Sequence, residues 1–180
     1  LNELQQAQQK LIGEQVGADG IEISVHEYPA PDHAPIQGYQ FDMENYNKVF
    51  AGEDAETYQK KLIPGEDRRH IGYYNCRHIT YAIVLGVNQP KHTETELKAI
   101  LKRNEDGFKY KGRKYTLYEG TQLQRRIETE IRQIKDEMSM NEGYGESNTD
   151  LEEELQAKLN EYKKVCQLGN FQINYDRLRS

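Results

Sequence analysis

Cys76 and His78 bring a soft thiolate and an imidazole to positions two residues apart, a pairing suited to holding a metal ion. They lie in Tyr73-Tyr74-Asn75-Cys76-Arg77-His78-Ile79-Thr80-Tyr81-Ala82-Ile83-Val84-Leu85-Gly86, the most apolar run of the chain. Side chains on a β-strand alternate between faces, so residues two apart point the same way and the pair is preset to share a ligand. The same pattern also serves a core strand whose Cys is buried as a small hydrophobe and whose His finds a polar neighbour. The segment alone leaves both readings open, and other segments must supply the further ligands.

Two more histidines are placed to do so. His33 follows Asp32 in His26-Glu27-Tyr28-Pro29-Ala30-Pro31-Asp32-His33-Ala34-Pro35-Ile36-Gln37-Gly38, where Pro29, Pro31 and Pro35 preclude regular structure and stiffen the loop. A stiff loop presents a ligand at low entropic cost, although a lone loop histidine is commonly a surface residue. His26 ends the preceding alternation. The candidate metal ligands are therefore His33, Cys76, His78 and His26, and a thiolate with imidazoles is a zinc-type set. Four closed protein ligands would make the ion structural. If His26 points away, an open fourth position would hold water.

Two other constellations compete. Cys76 as nucleophile with His78 as base requires an alignment that alternate strand residues rarely give, and Asn75 is the nearest orienting group. Arg125, Arg126, Arg132 and Lys135, interleaved with Glu128, Glu130, Asp136 and Glu137, are expected on the outer side of a helix. Mixed charge of this kind usually pairs within the helix, whereas DNA binding wants a more one-sided surface. The chain has no Gly-rich phosphate loop, no Gly-x-Ser-x-Gly elbow and no His-Glu-x-x-His helix, which favours a non-enzymatic reading.

The elements that must position these residues read as follows. Leu4, Ala7, Leu11 and Ile12 mark an amphipathic helix ended near Gly13. Ile21, Ile23 and Val25 alternate with Glu22, Ser24 and His26, the pattern of a half-buried strand with His26 on its polar face. Residues 39 to 72 are polar and Tyr-rich, with a short helix around Ala55 to Leu62. Gly86 to Pro90 is a turn, and Thr93 with Glu96 forms a reciprocal cap for a helix buried along Leu97, Ile100 and Leu101. Residues 108 to 115 alternate around Lys111-Gly112, a small hairpin. Leu123, Ile127, Ile131, Ile134 and Met138 form one helical stripe, and Leu151, Leu155, Leu159, Tyr162 and Cys166 form another. Thr116 with Glu119 starts the first helix, of about 25 residues and roughly 37 Å. Thr149 with Glu152 starts the second beyond the polar loop 141–148, and together they form an antiparallel helical hairpin. Phe171, Ile173 and Tyr175 suggest a last short strand.

Apolar residues are 36% and charged residues 30% of 180, which implies a modest core and much solvated surface. The net charge of −6 is uneven, because residues 61 to 115 hold 12 basic and 6 acidic side chains while the flanking thirds are acidic. That cationic third is a candidate surface for DNA or an acidic protein, though scattered Lys and Arg are more often simply solvated. No stretch approaches the roughly 18 apolar residues of a membrane span, so no membrane partner is expected. Cys76 and Cys166 lack a framework spacing, which fits a reducing compartment. The first residue is not Met and the opening looks like the tail of a helix, so a fragment of a longer protein is expected.

Three stretches together resemble a known family. Val25-His26 through Pro31-Asp32-His33-Ala34-Pro35-Ile36-Gln37-Gly38, then Asn75-Cys76-Arg77-His78, then Tyr118-Glu119-Gly120-Thr121-Gln122-Leu123-Gln124-Arg125-Arg126-Ile127-Glu128 with Ile131-Arg132-Gln133-Ile134-Lys135, look like the C-terminal part of the tailed-phage minor capsid protein 2 family, related to the Mu F-like head morphogenesis proteins. The resemblance spans roughly residues 20 to 180. It implies a virion component made in the bacterial host cytoplasm and acting in head assembly or in genome packaging and delivery. The implied partners are portal or capsid proteins, packaged DNA and an upstream region of the same protein. It also implies that Cys can replace His33 in relatives, an exchange a zinc ligand permits. Gly120 departs from an expected Ala and should weaken its helix by up to about 1 kcal/mol.

The expected architecture is α+β. A small mixed or antiparallel sheet holds residues 20 to 27, 76 to 85 and the 108 to 115 hairpin, with flanking short helices and the C-terminal antiparallel helical hairpin. Residues 1–115 form the core domain, and 116–180 form the hairpin and final strand packed on it. The expected function is that of a phage minor head protein, the alternative being a metal-dependent enzyme or phage-delivered effector built on His33, Cys76 and His78.

Overall fold

The computed structural model describes residues 2–44, 71 and 76–179, and the short helix expected around Ala55 to Leu62 lies outside them. The chain forms two compact units, Leu1–Lys102 and Arg103–Ser180. Among the described residues no helix is long and apolar enough to cross a membrane.

The first unit is built on a three-stranded antiparallel sheet of order β2-β1-β3, with β1 Gly20–Ile23, β2 Gln40–Asp42 and β3 Thr80–Ile83. Ile21 stands opposite Phe41 on one side and Ala82 on the other. As the central strand, β1 is buried at every residue, in contrast to the half-buried strand its alternation suggests. Even Glu22 is 2% exposed, its carboxylate accepting from Gln40 Nε2 at 2.9 Å and from the Lys91 backbone N–H. The strand ends at Ile23, short of the expected 27.

Helix α1, Asn2–Val16, packs on β3. It runs past Gly13, which is a contact point where a stop was expected: a Cβ there would lie 3.0 Å from the Ala82 Cβ. The helix gives way instead at Gly17, whose φ of 67° belongs to the left-handed region open to glycine. Helix α2, Glu94–Asp106, has its expected cap, with Thr93 N–H donating to Glu96 Oε2 at 2.7 Å and Glu96 N–H donating to Thr93 Oγ1 at 3.3 Å. Leu97 is its buried apolar residue, with Ile100 and Leu101 half-buried and Asn104 buried nearer the end.

In the second unit β4, Phe108–Tyr110, and β5, Arg113–Tyr115, make a hairpin turning on Lys111 and Gly112, both at positive φ as a two-residue primed turn requires. It forms a separate two-stranded sheet and does not join the β2-β1-β3 sheet as the expected architecture had it. Helices α3, Leu117–Tyr144, and α4, Thr149–Gly169, pack along each other, burying Ile127, Ile131 and Ile134 with Tyr162, Val165 and Cys166. The reciprocal cap of Thr116 and Glu119 is present on α3. On α4 the N-cap position is Asn148, without a side-chain cap bond, so Thr149 lies one residue inside the helix instead of capping it. The loop is shorter than expected because α3 continues to Tyr144 and ends on a left-handed Gly145.

Beyond α4 a 3-10 turn, Tyr175–Leu178, replaces the expected strand. Its carbonyls take up two cations of α3: Arg132 donates to the Arg177 carbonyl at 2.6 Å and Lys135 to that of Leu178 at 2.7 Å. Glu128, expected on the outer face, is 3% exposed and accepts from the Tyr162 hydroxyl at 3.0 Å, while Glu130 pairs with Lys158 at 2.6 Å. Much of the mixed-charge face read as a binding surface is therefore occupied by contacts within the unit.

Candidate metal centre

Three segments of the first unit meet beyond the end of β1. Past Ile23 the chain enters the proline-containing loop, which residues 31–38 fold into consecutive turns. The loop has no helix or strand, as its prolines predict, yet its turns are hydrogen-bonded: His33 and Ala34 N–H groups donate to the Ala30 carbonyl at 3.0 and 2.8 Å, and the Ile36 and Gln37 N–H groups to that of His33 at 3.2 and 3.1 Å. Ile36 is buried in a core cluster with Ile21, Ile23, Ile71 and Cys76, and Gly38 N–H rejoins β1 at the Ile23 carbonyl at 2.8 Å. His33 is thereby fixed from both sides of the loop.

Cys76 and His78 precede β3 instead of lying within it, since the strand begins at Thr80. The two-residue alternation still operates there, with Cys76 and His78 buried and Arg77 exposed between them. Ser24 ties this stretch to β1, its N–H donating to the Ile79 carbonyl at 2.9 Å and its Oγ accepting from Ile79 N–H at 3.0 Å.

The result is a buried cluster of His33, Cys76 and His78 whose ligand atoms lie within 4.8 Å of one another. Cys76 Sγ is 3.4 Å from His33 Nδ1 and 3.6 Å from His78 Nδ1. The far nitrogens also face oxygens: His33 Nε2 is 3.7 Å from Asp32 Oδ2, and His78 Nε2 is 3.3 Å from Gln37 Oε1. One thiol sulfur and two imidazoles at this spacing suit a borderline-soft divalent ion such as zinc.

His26 is near but stands apart from the three. Its ring meets that of His78 edge-on at 4.4 Å between centroids, and its Nε2 is buried with no hydrogen-bond partner among the described residues. Burial pushes its pKa below 6.5, opposed in part by a hydrogen bond to the Arg77 backbone. Asn75, weighed as an orienting group for a Cys nucleophile, lies outside the described residues. Cys76 has imidazoles within reach, yet at 7% exposure it lacks the access that reactive cysteines have.

The family model for phage minor capsid protein 2 matches residues 1–167, a span that holds the entire cluster, all of the first unit and most of the second. The chain belongs to the phage minor capsid protein 2 family. As a phage minor capsid protein it is a virion component of bacteriophage head morphogenesis. No curated protein and no solved structure matches it.

One participant was not singled out from the sequence of this minor capsid protein. Gln37 accepts the His26 backbone N–H at 2.8 Å and faces His78 through the same oxygen. A glutamine in a loop carries no periodic or spacing signal. Only its place in the loop motif beside His33 could have pointed to it.

Proposed function

We propose that this minor capsid protein acts without catalysis in head assembly or in genome packaging and delivery, through contact with portal or capsid proteins. The observation that carries this reading is the family match over residues 1–167. Packaged DNA is a further contact within the same proposal, suggested by the 12 basic against 6 acidic side chains of residues 61 to 115. Two compact units, one a sheet with a pinned loop and one a long helical hairpin, suit a protein that works through its surfaces. The test is genetic and compositional. Deletion of the coding segment is expected to leave capsids that form but infect poorly, and purified virions are expected to contain the protein in few copies. Its absence from virions, or full infectivity after deletion, overturns the proposal.

The second reading, a metal-dependent enzyme or delivered effector, is favoured by the His33, Cys76 and His78 cluster. It predicts that a folded Cys76→Ser protein incorporated normally into virions loses a post-entry activity. On the structural reading, normal incorporation preserves infectivity.

A further inference from the structure

We propose that His33, Cys76 and His78 bind one zinc-type divalent cation through Cys76 Sγ and the Nδ1 atoms of both histidines, with Asp32 and Gln37 positioning the two rings. The site stands on its own geometry and does not rest on the role in the phage head.

The first support is the protonation pattern that the neighbours impose. Gln37 Oε1 accepts the His26 backbone N–H, a group that can only donate, which fixes the orientation of the amide. The atom facing His78 Nε2 is then an acceptor, so that nitrogen carries hydrogen and the neutral ring turns its Nδ1 lone pair toward Cys76. The Asp32 carboxylate near His33 Nε2 favours hydrogen on that nitrogen too, which aims the His33 Nδ1 lone pair at the same sulfur. Both Nδ1 lone pairs thus converge on one sulfur. A cation between one thiolate and two imidazole nitrogens satisfies all three atoms, and binding releases the thiol proton to solvent.

The second support is metric. Zinc bonds of about 2.3 Å to sulfur and about 2.0 Å to nitrogen at a tetrahedral angle place the two donors about 3.5 Å apart. The observed separations are 3.4 and 3.6 Å. Outer oxygens on the far nitrogens of ligating histidines are the usual means of fixing tautomer and ring orientation. His26 supports the His78 ring from its edge and is not a ligand in this assignment; the fourth position goes to solvent. The ion joins the loop at residue 33 to the stretch entering β3, a crosslink between segments 43 residues apart that keeps one open position.

Cobalt(II) tests the assignment in the full chain, reduced and stripped of metal. One equivalent is expected to give a thiolate-to-cobalt charge-transfer band in the near ultraviolet and tetrahedral absorption in the visible, both displaced by equimolar zinc. Cys76→Ser removes the charge-transfer band while Cys166→Ser and His26→Gln keep it. Gln37→Leu weakens affinity by about 10- to 100-fold, the usual effect of losing an outer partner. Far-ultraviolet circular dichroism confirms that each protein is folded. A folded wild-type chain without the band, a band lost with Cys166 but kept without Cys76, or a band lost in a folded His26→Gln protein overturns the assignment. Wild type alone suffices to refute it, so poor folding of a variant does not protect it.

Discussion

The hairpin unit and the sheet unit hold themselves together by different means. In the hairpin, buried polar groups find partners within the helices or in the short tail after them: Tyr162 donates to Glu128, Arg177 lies 3.6 Å from the other Glu128 oxygen, and Asn174 N–H donates to the Tyr162 hydroxyl at 3.1 Å. In the sheet unit, Cys76, His33 and His78 converge in one buried cluster, with Gln37 and His26 beside them. The contacts of Tyr162 and Glu128 thus close within their own unit. The proposed centre would add a cation to the sheet unit, and on that proposal part of the stability of this region depends on metal while that of the hairpin does not.

The sharpest way to break this contrast is to damage the hairpin. Ile131 is 0% exposed between α3 and its neighbours, and Ile131→Ala should lower stability by about 2 to 5 kcal/mol through lost burial and a residual cavity. Urea denaturation with hydrogen exchange resolved by segment should show the loss in residues 117–169, by the same amount with or without chelator. A chelator-dependent loss there would erase the distinction between the two regions.

Metal removal is the converse. With free zinc at about 100 times its dissociation constant, binding to the folded chain alone contributes about 2.7 kcal/mol. Chelation should therefore raise exchange in the loop 26–38 and at residues 76–80 and leave α3 and α4 unchanged. Equal protection in both states would show that the cluster is held by packing alone.

The same contrast explains what could be read from residues. Stripes such as Ile127, Ile131 and Ile134 repeat at the helical period, and the Thr116 and Glu119 cap announces its start, so the hairpin was legible locally. The Lys111-Gly112 turn was legible for the same reason. Cys76 and His78 were readable as a pair because a two-residue spacing fixes their common side. That His33 joins them depends on Ile36 and Gly38 anchoring the loop, a tertiary fact with no local period. The reading of Glu22 and Glu128 as outward-facing failed because each has a hydrogen-bond partner distant in sequence, Gln40 for one and Tyr162 for the other.

Gly120 tests whether a local propensity or a tertiary contact governs the start of the hairpin. Replacing a helical glycine by alanine ordinarily gains up to about 1 kcal/mol. Here a Cβ would lie 2.5 Å from Phe108 Cε1 and 2.7 Å from Phe171 Cζ, two rings that meet edge to face over the glycine. Gly120→Ala should thus lower the thermal midpoint, because the rings must move apart and overpacking costs about 1 to 3 kcal/mol. A raised midpoint would mean that the rings yield freely and that propensity governs.

The smallest expected effect concerns charge that links the β4–β5 hairpin to α4. Glu161 accepts from Lys111 Nζ at 2.7 Å, from the Tyr110 hydroxyl at 3.0 Å and from Lys158 at 3.3 Å. The Lys111 hydrogen bond is the largest cause holding the Glu161 carboxyl below its ordinary 4.5, and burial opposes it. A carboxyl whose folded pKa is depressed contributes stability that is present above the unfolded value and lost as pH falls through the folded one. Lys111 is well exposed, so solvent screens the pair and its contribution should be small. Wild type should accordingly lose slightly more stability than Glu161→Gln between neutral pH and pH values below 4.5, and added salt should narrow the difference. Parallel pH profiles for the two proteins would show that this carboxylate contributes nothing and that the hairpin unit rests on its apolar packing and buried hydrogen bonds alone.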